Sequence, residues 1–187
     1  MKIAIVHDWL TGMRGGEKCL EVLCDLYPSA DIYTLLHIPG SVSPTIESHS
    51  IYTSFLQKLP CIQSKYRYYL PLMSFAIESF NLSQYDLILS SSHCVAKSVK
   101  PASGSIHICY CHTPMRYIWD QFGHYFCRSK SGLIPWAIMT MLRPWLQRWD
   151  SKTSYRVNDF IANSYHVQKR IKKYYHKEAT VIHPPVD

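Results

Sequence analysis

His112 closes the stretch SIHICYCH (Ser105–His112) and is followed by Thr113, Pro114 and Arg116. A histidine that ends an apolar strand projects at the rim of its sheet. There the ring can take up a proton or hydrogen-bond a hydroxyl near neutral pH. The plainer alternative is a structural histidine that caps the turn. Thr113-Pro114 predicts a helix start with proline in the first turn, where Arg116 can face an anion. A second constellation lies in MRGGEK (Met13–Lys18), between the run KIAIVHDW and a helical spacing of Leu20, Leu23 and Tyr27. Glycines at a strand-to-helix turn let the backbone approach an anion, and the helix start adds unpaired N–H groups and partial positive charge. The spacing Gly12-x-x-Gly15-Gly16 matches neither the dinucleotide fingerprint nor the P-loop. Gly15 and Gly16 are therefore either a phosphate site, with Arg14 in support, or a tight turn that needs φ > 0.

Metal chemistry finds little support. Cys109, Cys111 and His112 form a C-x-C-H with no second pair, and no D-x-D occurs. Cysteines in a buried strand serve as small apolar fillers, so neither metal nor cofactor is expected. Basic and aromatic residues mix in KYRYYLPLM, where Lys65, Arg67, Tyr68 and Tyr69 can form a membrane-surface patch with LIPWAIMTML and PWLQRW. Ordinary helix packing against a sheet is the competing reading. QKRIKKYYHK predicts a solvated basic helix face, and no nucleic-acid-binding motif accompanies it.

The chain has 187 residues, which suits one domain with a single core. Its 47% hydrophobic content excludes disorder, and a net charge of +7 points to an anionic partner: nucleic acid, a phosphorylated small molecule or an anionic membrane. The seven cysteines have no framework spacing, so reduced thiols in a cytoplasmic protein are expected. The first apolar run is interrupted by His7 and Asp8 too early for a signal peptide. The longest, Leu133–Leu142, falls short of the roughly 18–20 residues of a spanning helix.

Strands are expected at Lys2–Val6, Asp31–Leu35, near Ile51, in YDLILSSS, at Ser105–His112, in DFIANS and in ATVIHPP. Helices are expected at Gly15–Leu26, Tyr66–Phe80 with Pro71 starting or kinking it, about Ile134–Tyr155, and YHVQKRIKKYY. This alternation predicts an α/β fold: a Rossmann-like, mostly parallel sheet of about six or seven strands with helices on both faces. Polar residues end several strands, at His7-Asp8, Ser90–His93, His112-Thr113 and Asn163-Ser164. Ligands of open α/β sheets bind at that carboxyl rim, which is expected to gather Gly15, Gly16, His7, His112 and Arg116.

In order, IVHDWLTGMRGGEK, CHTPMRYIWD, FIANS and VIHPPVD resemble the N-terminal half of retaining glycosyltransferases of family 4, over nearly the whole chain. The resemblance implies the GT-B architecture, two Rossmann-like domains facing each other across a cleft. Residues 1–187 would be the acceptor-side domain, and a C-terminal donor-binding domain with an E-x7-E motif would lie outside this chain. Gly15 and Gly16 would approach the diphosphate of a nucleotide-sugar donor. His112 would be the catalytic group beside the reacting sugar, with His7, Arg116 and Asp120 binding substrate. The implied activity is hexosyl transfer with retention to a glycan or lipid-linked acceptor, in cell-envelope polysaccharide synthesis. The implied location is cytoplasmic and peripheral at the inner face of the membrane. A lone half would lack the positioning that can supply roughly 7–11 kcal/mol of the barrier, so little activity is expected of it. Two other classes stay open on the residues themselves: a nucleotide or phosphosugar binding module without catalysis, and a basic membrane- or nucleic-acid-binding domain.

Overall fold

The computed structural model describes residues 1–127 and 132–185, with the side chains of all but residues 64 and 65. The side chain of Lys65, expected in a membrane patch, and the last two residues of VIHPPVD therefore lie outside what is described. Seven short runs rich in apolar residues pair side by side: β1 (Ile3–His7), β2 (Asp31–Thr34), β3 (Ile51–Thr53), β4 (Leu87–Ser92), β5 (Ile106–Cys111), β6 (Asp159–Ala162) and β7 (Ala179–Val181). They form one sheet in the order β3-β2-β1-β4-β5-β6-β7, and all six pairings are parallel. The chain winds one way from β1 to β3 and the other way from β4 to β7. The order thus reverses between β1 and β4, the place where doubly wound sheets open a crevice beyond their carboxyl ends.

The crossovers are helical. α1 (Gly15–Leu26) follows β1, and α2 (Pro44–Glu47) lies between β2 and β3. α3 (Ile62–Lys65) and α4 (Leu70–Glu78) precede β4, and α5 (Phe122–Tyr125) and α6 (Leu133–Thr153) link β5 to β6. α7 (Tyr165–Tyr175) links β6 to β7. Strand side chains alternate between the two faces, and that alternation builds the core. Ile5, Ile32 and Leu89 point one way and pack with Leu20 and Cys24 of α1 and Ile46 of α2. Ala4, Val6, Tyr33 and Ile88 point the other way and pack with Met73, Ala76 and Ile77 of α4 and Met139 and Leu146 of α6. Cys109, Cys111 and Phe160 meet Val167, Ile171 and Tyr175 of α7. Helices therefore cover both faces of the Rossmann-like sheet.

Local signals explain several boundaries. Ser164 caps α7, its Oγ accepting from the Val167 N–H at 3.3 Å, a cap whose loss costs about 1 kcal/mol. Pro71 stands at the start of α4 where a missing N–H does no harm. Residues 66–69 wind as a 3₁₀ turn ahead of it. The helix expected from Thr113-Pro114 does not form. Arg170 of α7 donates to Thr113 Oγ1 and to the Pro114 carbonyl, which also accepts from Thr113 Oγ1. That carbonyl is taken by side chains instead of a helical N–H, and the chain runs on through turns at Met115–Gln121. Cys19, Cys24, Cys94, Cys109 and Cys111 are buried free thiols.

Candidate active site

β1 and β4 are neighbours, so their carboxyl ends meet: His7 is the register partner of Ser91. His7 Nδ1 lies 3.1 Å from Ser91 Oγ, and that same oxygen lies 2.9 Å from Nε2 of His112, the residue after β5. A hydroxyl has one proton to give. Ser91 can donate to one ring only, and the other ring must present an N–H to it, so the tautomers of His7 and His112 are coupled. On the far side of His7, Nε2 is 3.7 Å from Glu17 Oε1 and has no hydrogen-bond partner. Glu17 Oε2 accepts from the Arg14 N–H at 3.1 Å, which ties the start of α1 to this chain of groups. His7, Ser91 and Glu17 are all buried.

Burial, and then the charges of His7 and His93, push the His112 ring down to about 3. It is therefore neutral at physiological pH, with Nδ1 left to meet a ligand. Burial alone would raise the Glu17 carboxyl, but the His7 ring outweighs it and holds Glu17 below its usual range. Burial also lowers His93, against the opposing pull of Asp8. The His93 ring stands edge-on to Trp9, centroids 4.5 Å apart.

Asp8 has a different task from the one its rim position suggested. Its carboxylate is fully buried and accepts four backbone N–H bonds, from His93, Cys94, Val95 and Ala96, at 2.6–2.9 Å. His93 Nδ1 is a further neighbour at 3.1 Å. Burial raises its pKa, but these partners outweigh that and keep it below the carboxylate norm. Asp8 folds the loop that follows β4 and offers no open oxygen to a substrate.

Over these groups lies a cleft of about 440 Å³, a size that suits a small-molecule ligand. Trp9, Arg14, Gly15, Gly16, His112 and Arg116 line it, together with Glu17, His93, Asn163 and the Pro184-Pro185 segment. The structure thus brings together Gly15, Gly16, His112 and Arg116. His7 sits one layer beneath, with no exposure. A Cβ on Gly16 would stand 3.7 Å from His7 Cε1 and 3.8 Å from His112 Nε2, ordinary contact distances. Neither Gly15 nor Gly16 has positive φ; among the glycines of this loop only Gly12 does, at +145°. The tight-turn reading of the glycine pair therefore fails, and the pair instead leaves the first turn of α1 bare toward the cleft.

Asp120 does not line the cleft. Its carboxylate is held by Arg170 Nη2 at 2.5 Å and by the Tyr174 hydroxyl, while Trp119 stacks on Tyr174 with centroids 4.4 Å apart. It fastens the turn after β5 to α7. Of the expected membrane patch, Arg67 and Tyr68 are exposed. Tyr69 is half-buried and donates its hydroxyl to the Pro60 carbonyl. Ser91 and Trp9 were not singled out by sequence, and Glu17, in the first turn of a helix, reads there as structural. Ser91 carried only a weak signal, as part of the polar run Ser90–His93 at the end of an expected strand. Glu17 carried another, being three positions from Arg14 at a helix start.

No protein-family model and no curated protein sequence matches the chain. Solved structures do. One is the lipopolysaccharide outer core galactosyltransferase WaaB in its apo form, at TM-score 0.53 and 11% identity. Another is Alr3699/HepE of Anabaena in complex with UDP, at TM-score 0.58 and 15% identity. Each alignment covers 100% of this chain and 46% or 45% of the other, so the chain spans about half the length of either protein. At such identity the likeness is one of fold alone: the Rossmann-like α/β fold described above is similar to part of each of these two structures.

Proposed function

We propose that the chain is the acceptor-side half of a two-domain GT-B glycosyltransferase, one that moves a hexosyl group from a nucleotide-sugar donor to a glycan or lipid-linked acceptor. The observation that carries this reading is the cleft at the sheet's switch point. The bare first turn of α1 at Gly15-Gly16, Arg14, Arg116 and the neutral His112 all face it. Helix-start N–H groups and two guanidinium groups suit a diphosphate. The fold it shares with a galactosyltransferase and with a protein solved with UDP favours the same assignment.

Retention of configuration is part of the proposal. A double displacement needs a carboxylate nucleophile. Asp8 is buried under four N–H bonds, Asp120 is bound by α7, and Glu17, though it lines the cleft, is 3% exposed and held by the Arg14 N–H. Among the described residues none is presented as a nucleophile. Front-face transfer, with His112 hydrogen-bonding the donor sugar and steadying the departing charge, fits these placements better. No metal is assigned a part, and the cytoplasmic face of a membrane is the proposed location.

The full-length protein, incubated with UDP- and GDP-hexoses and with polyisoprenyl-phosphate and oligosaccharide acceptors, tests this. The expected result is nucleoside diphosphate release coupled to a glycosylated product whose anomeric configuration, read by NMR, equals that of the donor. Tight nucleotide binding without transfer to any acceptor would instead favour the binding-module reading.

A further inference from the structure

Glu17, His7 and Ser91 are buried side chains on a line that leads to His112, and the line has a direction. Ser91 Oγ stands between the two rings, 3.1 Å from His7 Nδ1 and 2.9 Å from His112 Nε2. With both rings neutral, two arrangements satisfy both bonds. In one, every proton points toward Glu17. His112 Nε2–H donates to Ser91, the Ser91 hydroxyl donates to His7 Nδ1, and His7 carries its own proton on Nε2. In the other, every proton points away from Glu17, and His112 carries its proton on Nδ1.

The charges at the two ends choose between them. His7 Nε2 is buried without a hydrogen-bond partner and faces Glu17 Oε1 at 3.7 Å. Burial alone would raise the Glu17 carboxyl, but the His7 ring outweighs it, so Glu17 is ionised. In so dry a place charge is weakly screened: a lone pair on Nε2 is repelled by the carboxylate and an N–H is drawn to it. The Arg14 N–H holds Oε2 and leaves Oε1 turned to the ring. Asp8 also acts on His7, but its oxygens are spent on four backbone N–H groups and on His93 Nδ1. The His93 ring itself lies 5.9 Å from that of His7. At the cleft end stand Arg14 and Arg116, beside His112. Their positive charge favours a lone pair, and not an N–H, on the ring that shares the cleft with them.

We infer that Glu17, His7 and Ser91 are positioning residues that hold His112 as its Nε2–H tautomer, with the Nδ1 lone pair left for the ligand. The ligand atom that meets His112 must then bring the proton. A hydroxyl has one to give, and an ionised phosphate oxygen has none. His112 is thereby assigned to a hydroxyl, and the diphosphate to the first turn of α1 and the guanidinium groups. The burial that keeps His112 neutral serves the same end, since an imidazolium would present an N–H. The tautomer does not depend on the reaction assigned to the cleft; its consequence for turnover rests on that reading.

Nitrogen-15 NMR of the full-length protein labelled in its histidines, without ligand and at pH 8, reads which ring nitrogen carries the proton. His112→Gln and His7→Gln identify the two sets of signals by their loss. In the parent, His7 and His112 are each expected to be protonated on Nε2 alone. Glu17→Gln keeps the bond from the Arg14 N–H on its amide oxygen and turns its amide N–H toward His7 Nε2, which must then accept. Both bonds reverse, and the His112 proton is expected to move to Nδ1. Ser91→Ala cuts the line and is expected to leave the two tautomers of His112 mixed. A role confined to packing would leave the His112 tautomer unchanged in both variants, and that result overturns the inference. A proton on His112 Nδ1, or on both nitrogens of His7, in the parent overturns it as well. If Glu17→Gln fails to fold, Ser91→Ala still decides. With donor and acceptor supplied, kcat of Glu17→Gln is expected to fall about 10²-fold while KM stays near the parent value. A reversed tautomer with unchanged kcat would uphold the inference and count against the reaction assigned to the cleft.

Discussion

Two buried polar clusters stand at the end of β4, and they are built on opposite plans. One turns inward around an ion pair, in which Asp150 Oδ1 has the ammonium as its neighbour and no hydrogen bond. Lys97 Nζ lies 3.0 Å from Asp150 Oδ1 and donates to the Asp150 carbonyl at 2.7 Å and to Ser98 and Thr153 hydroxyls at 3.2 Å. Asp150 Oδ2 accepts from Trp119 Nε1 at 2.7 Å and from the Tyr175 hydroxyl at 3.0 Å, and the ammonium sits 4.5 Å from the Tyr175 ring centroid. The other cluster stays open. His7, Ser91 and His112 form a chain that ends at the cleft wall, and His7 Nε2 has no hydrogen-bond partner at its buried end. The inward cluster fixes α6, α7 and the loop after β4 in one arrangement. An open one keeps unspent hydrogen-bonding capacity beside a ligand, which is how functional sites depart from the rule that buried polar groups are paired.

If that contrast is right, the inward cluster should break the fold and the open one the chemistry. Lys97→Met leaves Asp150 as an uncompensated buried carboxylate, a loss of about 3–5 kcal/mol that urea unfolding would read. A loss below 1 kcal/mol would mean that the pair is no keystone.

Acid should act next, and gradually. His107 in β5 is buried, its Nε2 2.8 Å from Ser90 Oγ, and burial pushes it down to about 4; His112 lies at about 3. Below about pH 6.5 the unfolded chain protonates both rings while the folded chain does not, so the unfolded state binds more protons and stability falls as pH falls. Each ring contributes about 1.4 kcal/mol per pH unit down to its folded value. Urea midpoints at pH 7, 5.5 and 4.5 should drop accordingly, and His107→Asn should remove one proton from the slope. A flat profile would contradict the burial of these rings.

What the sequence disclosed and what it withheld follow one physical line. The bounds of α1 and α7 were legible, because glycine, a serine cap and helical periodicity act within a few residues. So was the alternation that makes a parallel sheet. Period two tells which face a strand residue takes, and not what it will touch there. Lys97 and Asp150, or Ser91 with both histidines, meet only when crossovers bring distant segments together, and no local pattern marks them. Asp8 looked like a rim carboxylate for the same reason: its four N–H partners come from the loop after β4. Asp120 and the Thr113-Pro114 turn were misjudged because Arg170 and Tyr174 of α7 capture them.

The smallest structural effect is expected at Gly16. A methyl group there meets only ordinary contacts, and alanine favours a helix over glycine by about 0.5–1 kcal/mol. Gly16→Ala should therefore leave thermal stability unchanged or slightly raised. Nucleotide affinity, measured by calorimetry, should nevertheless fall, because the methyl stands between the cleft and the first turn of α1. Unchanged affinity would move the diphosphate elsewhere.

His112 joins the open cluster to the cleft, and its removal tests the account most directly. In the full-length protein, turnover of His112→Ala at saturating donor is expected to fall by about 10²–10⁴-fold, the scale of a positioned proton-transfer group, with the urea midpoint close to that of the parent. A folded variant with turnover within about twofold of the parent would contradict the account and return His112 to a structural cap.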